Sequence, residues 1–247
     1  MDRVGVAKGL LIMRQLWLAE DLNQETLSLS VSHRKRLERV LRLRQGATLI
    51  VADGCGHRRL FSLQEGHLQA AGQIERLDAP TRRVHVAHGL IKGERQNWAL
   101  QKLTEVGADH LHPLALEHCV VRIPESKVND RMQRWRQVLV EAFEQCGRSS
   151  LPQLSAPTDI RGLLKALPSG CKVAACDETP GLPSLQSWLK ALDPSVADIC
   201  LIVGPEGGLS KRERSVISPH ELVSLGNSVL RAETAAIVAA WTANLSQ

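Results

Sequence analysis

The chain has no apolar run approaching the roughly 20 residues that span a bilayer, and no signal-peptide core at its start. Neither membrane insertion nor secretion is expected, and the cytoplasm is the expected location. Six cysteines, Cys55, Cys119, Cys146, Cys171, Cys176 and Cys200, include no C-x-x-C pair. That excludes a zinc ribbon or a thioredoxin-like redox motif and points to reduced, buried thiols in the core. A G-x-G-x-x-G fingerprint and a Walker P-loop are also missing, so binding of a nicotinamide dinucleotide or a nucleoside triphosphate has no support. His110, His112, His118 and Cys119 crowd one stretch, but the stretch reads as a strand without a recognised ligand spacing, and no metal is expected.

Excess charge is scarce everywhere except in one segment. Residues 33–44 hold six basic side chains (Arg34, Lys35, Arg36, Arg39, Arg42 and Arg44) against Glu38, a net +5 that equals the formal charge of all 247 residues. The rest of the chain is neutral in sum. Leu37, Val40, Leu41 and Arg44 are spaced i, i+3, i+4, i+7, which predicts a helix that buries Leu37, Val40 and Leu41 and turns arginines to solvent. Charge runs are ordinarily solvated faces. The local concentration of this one favours a phosphate-contacting surface formed by Arg34, Lys35, Arg36, Arg39 and Arg42.

A chain of this length has room for one large or two modest domains, and two are expected. Over residues 13–80 short alternating runs, Leu27-Ser28-Leu29-Ser30-Val31, Thr48-Leu49-Ile50-Val51-Ala52 and Leu60-Phe61-Ser62-Leu63, are separated by turn signals such as Asp53-Gly54 and Glu65-Gly66. They predict a small β-barrel containing the basic helix. Ala79-Pro80-Thr81 marks the boundary. Strands then alternate with helices over 81–247, which predicts a mostly parallel α/β sheet. Strands are predicted over 84–87, 110–114, 172–176 and 199–203, and helices over 94–106, 127–146 and 232–243. Met132, Trp135, Val138, Leu139, Ala142, Phe143 and Cys146 line one face of the second helix, and Gly147 sits at its C-cap.

Two glycine-centred stretches carry most of the functional signal. In the first, the apolar run Ile199-Cys200-Leu201-Ile202-Val203 stops at Gly204-Pro205-Glu206-Gly207-Gly208-Leu209-Ser210, and Ser210 with Glu213 has capping-box spacing for the helix that follows. In the second, Glu221-Leu222-Val223-Ser224-Leu225 runs into Gly226-Asn227-Ser228-Val229-Leu230-Arg231 and then an alanine-rich helix. Either loop alone is an ordinary turn. Two neighbouring loops at strand ends form a crevice, the usual ligand position in an open α/β sheet.

GPEGG followed by LGxxxLRxETA resembles the RsmE family of 16S ribosomal RNA uracil-N3 methyltransferases, within the SPOUT superfamily. The segments Leu37-Glu38-Arg39-Val40-Leu41-Arg42, Gln101-Lys102-Leu103-Thr104-Glu105-Val106-Gly107 and Glu141-Ala142-Phe143-Glu144-Gln145-Cys146-Gly147-Arg148 are also similar to family elements. Matches run from about Met13 to the C-terminus, and residues 1–12 are expected to be an extension. The resemblance implies a PUA-like RNA-binding β-barrel over 13–80 and a SPOUT α/β domain with a C-terminal trefoil knot over 81–247. It implies a homodimer, and 16S rRNA in the 30S subunit as partner. It also implies methyl transfer from S-adenosylmethionine to N3 of one uridine. A ribosome-binding assembly factor with little catalysis and a SPOUT ribose 2′-O-methyltransferase are the alternatives.

On this reading Val203, Gly204, Pro205, Glu206, Gly207, Gly208, Leu225, Gly226, Ser228, Val229 and Leu230 hold the methyl donor. Uracil N3 carries a proton at neutral pH, so some group must favour the anion, whose charge spreads to O2 and O4. Arg231 is the first candidate for that electrostatic role, with a structural salt bridge to Glu206 or Glu233 as the equal alternative. Glu206 contacts the donor or shapes its loop, while Glu105 and Arg148 order the site or the dimer. The chain departs from the family at Asn227-Ser228, where Pro-Arg is common, and at His118, near a frequent arginine.

Overall fold

Alternation of apolar and polar residues over the first third of the chain builds a five-stranded sheet, in the computed structural model that describes residues 15–18, 21–40, 42–218 and 220–246. The expected extension over 1–12, Leu41 and the side chain of Val40 lie outside the described residues. Contacts divide the chain into two units, residues 1–79 with 143–151, and residues 80–142 with 152–247.

In the first unit β1 (Gln15–Trp17), β2 (Thr26–Ser28), β3 (Thr48–Ala52), β4 (His57–Gln64) and β5 (His67–Arg76) lie in the order β1-β3-β4-β5-β2. The β1–β3 pair is parallel and the others are antiparallel. Leu16, Leu27, Leu37, Leu49, Val51, Phe61, Leu63 and Leu68 form its core. Val31 does not extend the second strand, as its alternation predicts. Ser30 accepts a hydrogen bond from the His33 amide (3.1 Å) and caps α1 (Val31–Lys35), leaving Val31 exposed on the first turn.

The basic helix is also shorter than its spacing predicts. After α1 the chain makes one wide π-helical turn over Arg36–Val40, and Arg42 then takes φ 52°. A non-glycine residue in that left-handed region cannot continue a right-handed helix. Leu37 is still fully buried and Leu43 packs against the same core. Residues 143–151 complete this unit: the Trp17 amide donates to Glu144 Oε1 (3.0 Å), Arg36 pairs with Glu144, and the Gln15 amide side chain donates to the Arg148 carbonyl (3.1 Å).

The second unit is built on six parallel strands in the order β11-β9-β10-β6-β7-β8. These are β6 (Arg83–Gly89), β7 (His110–Leu114), β8 (Gln153–Leu154), β9 (Lys172–Cys176), β10 (Asp198–Val203) and β11 (Glu221–Val223). Every residue of β10 is buried, as the unbroken apolar run predicts for a central parallel strand. The helices are α2 (Glu94–Glu105), α3 (Val128–Cys146), α4 (Ile160–Ala166), α5 (Leu185–Ala191), α6 (Lys211–Ile217) and α7 (Ala232–Leu245). Met132, Trp135, Leu139, Ala142 and Phe143 of α3 are buried, and Gly147 ends that helix at φ 69°. From β11 the chain turns back so that α7 packs on β6, β10 and α2. The small side chains Ala236, Ala239, Ala240 and Ala243 allow that close approach and are fully buried. Trp241, on the other side of the helix, is half exposed.

Candidate functional site

All six strands of the second sheet point the same way, so both glycine loops emerge at its carboxyl edge. After Val203 the first loop closes with the Gly208 amide donating to the Pro205 carbonyl (2.8 Å), Gly208 standing at φ 69°. The capping box predicted at Ser210 is present: the Glu213 amide donates to Ser210 Oγ (3.2 Å) and the Ser210 amide to Glu213 Oε2 (2.8 Å). In the second loop Ser224 Oγ accepts from the Gly226 amide (3.2 Å) and donates to the Gly226 carbonyl (3.1 Å), and Gly226 adopts φ 134° with open space where a Cβ would stand.

Between the loops lies an open cleft with about 810 Å³ of free space. Val203, Gly204, Pro205, Glu206 and Gly208 line one side, and Leu225, Gly226, Ser228, Val229 and Leu230 line another. Asn227, Ala232 and Ala235 also face it. Gly207 is not in the lining. A Cβ there would lie 3.0 Å from His118 Cβ, and the His118 ring donates from Nδ1 to the carbonyls of Gly207 (2.9 Å) and Gly208 (3.1 Å). Arg122 braces this histidine's turn, donating to the carbonyls of Leu116 (2.7 Å) and Glu117 (2.8 Å). The Glu117 amide donates to Glu213 Oε1 (2.8 Å), joining the same turn to the capping box.

The salt bridge to Glu206 and Glu233 exists, but Arg231 does not make it. Arg95, on the first turn of α2, places Nη1 3.1 Å from Glu206 Oε1 and 3.4 Å from Glu233 Oε1. Glu233 is buried and its Oε2 has no partner, whereas Glu206 is 41% exposed at the cleft wall. Arg231 is the exposed N-cap residue of α7, beside the lining, with no ion pair among the described residues. Residue order gives no hint of Arg95, because α2 lies about a hundred residues from the loops and a single arginine on an amphipathic helix carries no signal.

Asp177 is hidden in the sequence for the same reason. It lines the cleft after β9 and is nearly buried, paired with Arg214 Nη1 at 2.6 Å. Burial pushes its carboxyl up, but the Thr179 hydroxyl (2.6 Å) and amide (2.9 Å) and the Arg214 guanidinium together hold it below the usual carboxylate range.

The RNA methyltransferase domain family matches residues 78–244. The Ribosomal RNA small subunit methyltransferase E of Synechocystis sp. is 30% identical over 226 residues, spanning 89% of this chain and 73% of that protein. This chain belongs to the ribosomal RNA small subunit methyltransferase E family. Two solved structures share the fold of this family member at a TM-score of 0.80. One is a Legionella pneumophila protein in complex with bound S-adenosylmethionine (28% identical, 92% of this chain and 95% of that one). The other is the Ribosomal RNA small subunit methyltransferase E of Neisseria gonorrhoeae bound to S-adenosylmethionine (25% identical, with the same coverage).

In this methyltransferase E family member the histidines do not group as their sequence positions suggest. His118 lies at the glycine loop, and Cys119 is buried with its thiol directed at the Leu114 carbonyl. His110 and His112 stack instead on each other, ring centroids 4.0 Å apart, beside His85 of β6. Elsewhere, Glu105 pairs with Lys102 at 2.8 Å on α2. All six cysteines are free thiols, but only Cys119 and Cys200 are buried in the core; Cys146, Cys171 and Cys176 are half-buried and Cys55 is exposed.

The basic segment of the family member sits in the first unit. Arg34 donates to the Gly66 carbonyl (3.3 Å) and Arg36 pairs with the buried Glu144, so both have local structural work. Lys35, Arg39 and Arg42 are exposed and make no ion pair among the described residues.

Proposed function

We propose that the chain methylates N3 of one uridine of 16S rRNA within the small ribosomal subunit, with S-adenosylmethionine as donor. The carrying observation is the convergence of both glycine loops on one cleft at the carboxyl edge of a parallel sheet, in a fold shared with two proteins solved with that donor.

The residues present fit such a ligand. Val203, Leu225, Ala232 and Ala235 give apolar walls suited to a purine face, and the bare backbone at Gly226 allows close approach to polar edges. Val203, Gly204, Pro205, Glu206 and Gly208 with Leu225, Gly226, Ser228, Val229 and Leu230 would hold the donor, and Gly207 would act through His118. Bound there, S-adenosylmethionine supplies a methyl group already activated by its sulfonium. The chain's share of the work is then alignment and charge. Arg231, exposed at the entrance of α7 and making no ion pair among the described residues, would meet negative charge on a uracil carbonyl oxygen once N3 has lost its proton. Glu206 is held in place by Arg95 and shapes the wall of the cleft.

The first unit acts as a PUA-like RNA-binding domain, its exposed Lys35, Arg39 and Arg42 meeting phosphates and Arg34 and Arg36 contributing from paired positions. The return of the chain from edge strand β11 to α7 across β10 and β6 supports a trefoil knot, a rare topology. The exposed Trp98 and Trp241 on the packed helices α2 and α7 support a homodimer.

Nuclease digestion and mass spectrometry of 16S rRNA, from cells with and without the gene, test the reading. Loss of a single N3-methyluridine is expected. A lost ribose methyl, or no lost modification despite ribosome binding, would overturn it in favour of a 2′-O-methyltransferase or an assembly factor.

A further inference from the structure

Three histidines meet at the end of the parallel sheet opposite the cleft. His85 is the third residue of β6, His110 and His112 are the first and third of β7, and β6–β7 pairing sets His85 directly across from His110. Side chains two apart on a strand share a face, so all three rings emerge on the same side of the sheet. One ring nitrogen of each lies within 4.8 Å of the others. His85 and His112 are buried, and His110 is half-buried and opens the group to solvent.

Their hydrogen bonds define which nitrogens are available. His85 Nε2 lies 3.0 Å from Asp198 Oδ1, and Asp198 is gripped by both Arg83 Nε and Nη2 at 2.8 Å. An ionised carboxylate only accepts, so His85 carries its proton on Nε2 and presents a lone pair at Nδ1. That Nδ1 faces His112 Nε2 at 3.1 Å. His110 Nε2 is engaged by Ser155 Oγ at 2.8 Å, which leaves Nδ1 as its free nitrogen.

We propose that His85, His110 and His112 bind one divalent transition-metal ion, Zn²⁺ foremost, at a site separate from the methyl-donor cleft. Three imidazoles with a solvent-facing fourth position suit zinc and its neighbours in the first transition row. Two imidazole nitrogens on a tetrahedral zinc stand about 3.3 Å apart, given Zn–N bonds of about 2.0 Å, so the His85–His112 pair is already near that spacing. His110, the more exposed ring, closes the remaining gap. The Asp198 carboxylate behind His85 supplies the outer-shell partner that fixes a ligating ring's tautomer, and Ser155 Oγ, 2.8 Å from Nε2, orients the ring of His110. On binding, the His112 proton moves from Nε2 to Nδ1 and the ring stays neutral. The ion would tie β6 to β7 directly and to β10 through Asp198. Asp198 begins the strand that Val203 ends, about 16 Å away at 3.3 Å per residue, so the site does not rest on the reading of the cleft.

Untagged, chelator-stripped protein titrated with Zn²⁺ by calorimetry, and with Co²⁺ by absorption spectroscopy, is the test. One equivalent of each ion and the visible bands of tetrahedral cobalt are expected. His112→Gln and His110→Gln should each weaken Zn²⁺ binding at least tenfold, and Asp198→Asn about tenfold. S-adenosylmethionine affinity within about twofold of the parent certifies folding of each variant, and His110→Gln, at the half-exposed position, carries the test if a buried one fails. Absence of saturable one-equivalent binding, or binding unchanged in His110→Gln, would overturn the site and leave a neutral hydrogen-bonded cluster.

Discussion

Gly207 has no room for a side chain because His118 stands over it: a Cβ at Gly207 would meet His118 Cβ at 3.0 Å, while the His118 ring holds the Gly207 carbonyl at 2.9 Å. The glycine is needed for a protein contact on the far side of the loop and not for direct contact with a ligand. Gly207→Val should therefore displace the loop. Overpacking of this kind costs about 1–3 kcal/mol, which corresponds to about 5- to 150-fold weaker donor binding by calorimetry. Gly207→Ala should weaken binding less, and its cost should shrink when measured in a His118→Gly background, where the opposing Cβ is gone and the ring's hydrogen bonds are absent from both proteins compared. An equal cost of Gly207→Ala in both backgrounds would refute the contact.

Arg231, the exposed N-cap of α7, and Arg95, which pairs with Glu206 and Glu233, have different tasks, and their alanine variants should separate. Arg231→Ala removes an unpaired guanidinium, so turnover should fall about 10–100-fold while donor affinity changes less than about threefold. Lysine there should rescue only partly, for want of the planar fork. Arg95→Ala frees Glu206, an exposed pairing worth about 1 kcal/mol at most, and takes the cation from the buried Glu233, so its loss should appear in donor affinity and in stability, with the stability loss exceeding the exposed-pair value. Single-turnover kinetics with donor titration distinguish them. Equal losses of affinity and turnover in Arg231→Ala would make it structural.

Asp177 sets an acid limit on stability. Its folded carboxyl lies below the unfolded value of about 3.9, so its contribution is fully present above about pH 4 and is lost as pH falls through the folded value. In Asp177→Asn the urea midpoint should drop at pH 7, and its further decline below pH 4 should be shallower than in the parent. Parallel acid limbs would show that the Arg214 and Thr179 contacts do not persist in solution.

The RNA test should use the side chains the fold leaves free. Changing Lys35, Arg39 and Arg42 together to glutamine should weaken RNA binding and flatten the log-log salt slope by about 2, at about 0.7 for each phosphate no longer neutralised. Donor binding should not change. Including Arg36 would confound the result, because it neutralises the buried Glu144. Filter binding at several salt concentrations gives the slope, and an unchanged slope excludes this segment as the RNA footprint.

Much of this was legible from residue order. The central strand, the capping box at Ser210 and Glu213 and the alanine-rich last helix follow from local rules: an unbroken apolar run, a fixed i, i+3 spacing and small side chains. The glycine loops were visible because turns need special residues. What escaped the sequence is pairing at a distance. Arg95 reaches Glu206 and Glu233, Asp177 reaches Arg214, and His85 joins His110 and His112 only after the sheet sets its strand order. The early end of the basic helix at Arg42 had no local signal either, since arginine seldom adopts a positive φ.

The discontinuity of the first unit bears on how the chain is made. Residues 143–151, which supply Glu144 to Trp17 and Arg36 and the Arg148 carbonyl to Gln15, leave the ribosome only after residues 80–142 have been synthesised. Trp17, Arg36 and Gln15 therefore lack these polar partners until more than half of the chain has emerged, although the apolar core of their sheet, Leu16 to Leu68, is synthesised earlier. An enzyme that modifies ribosomes thus receives the last polar ties of its first domain only once its own translation has run well past that domain.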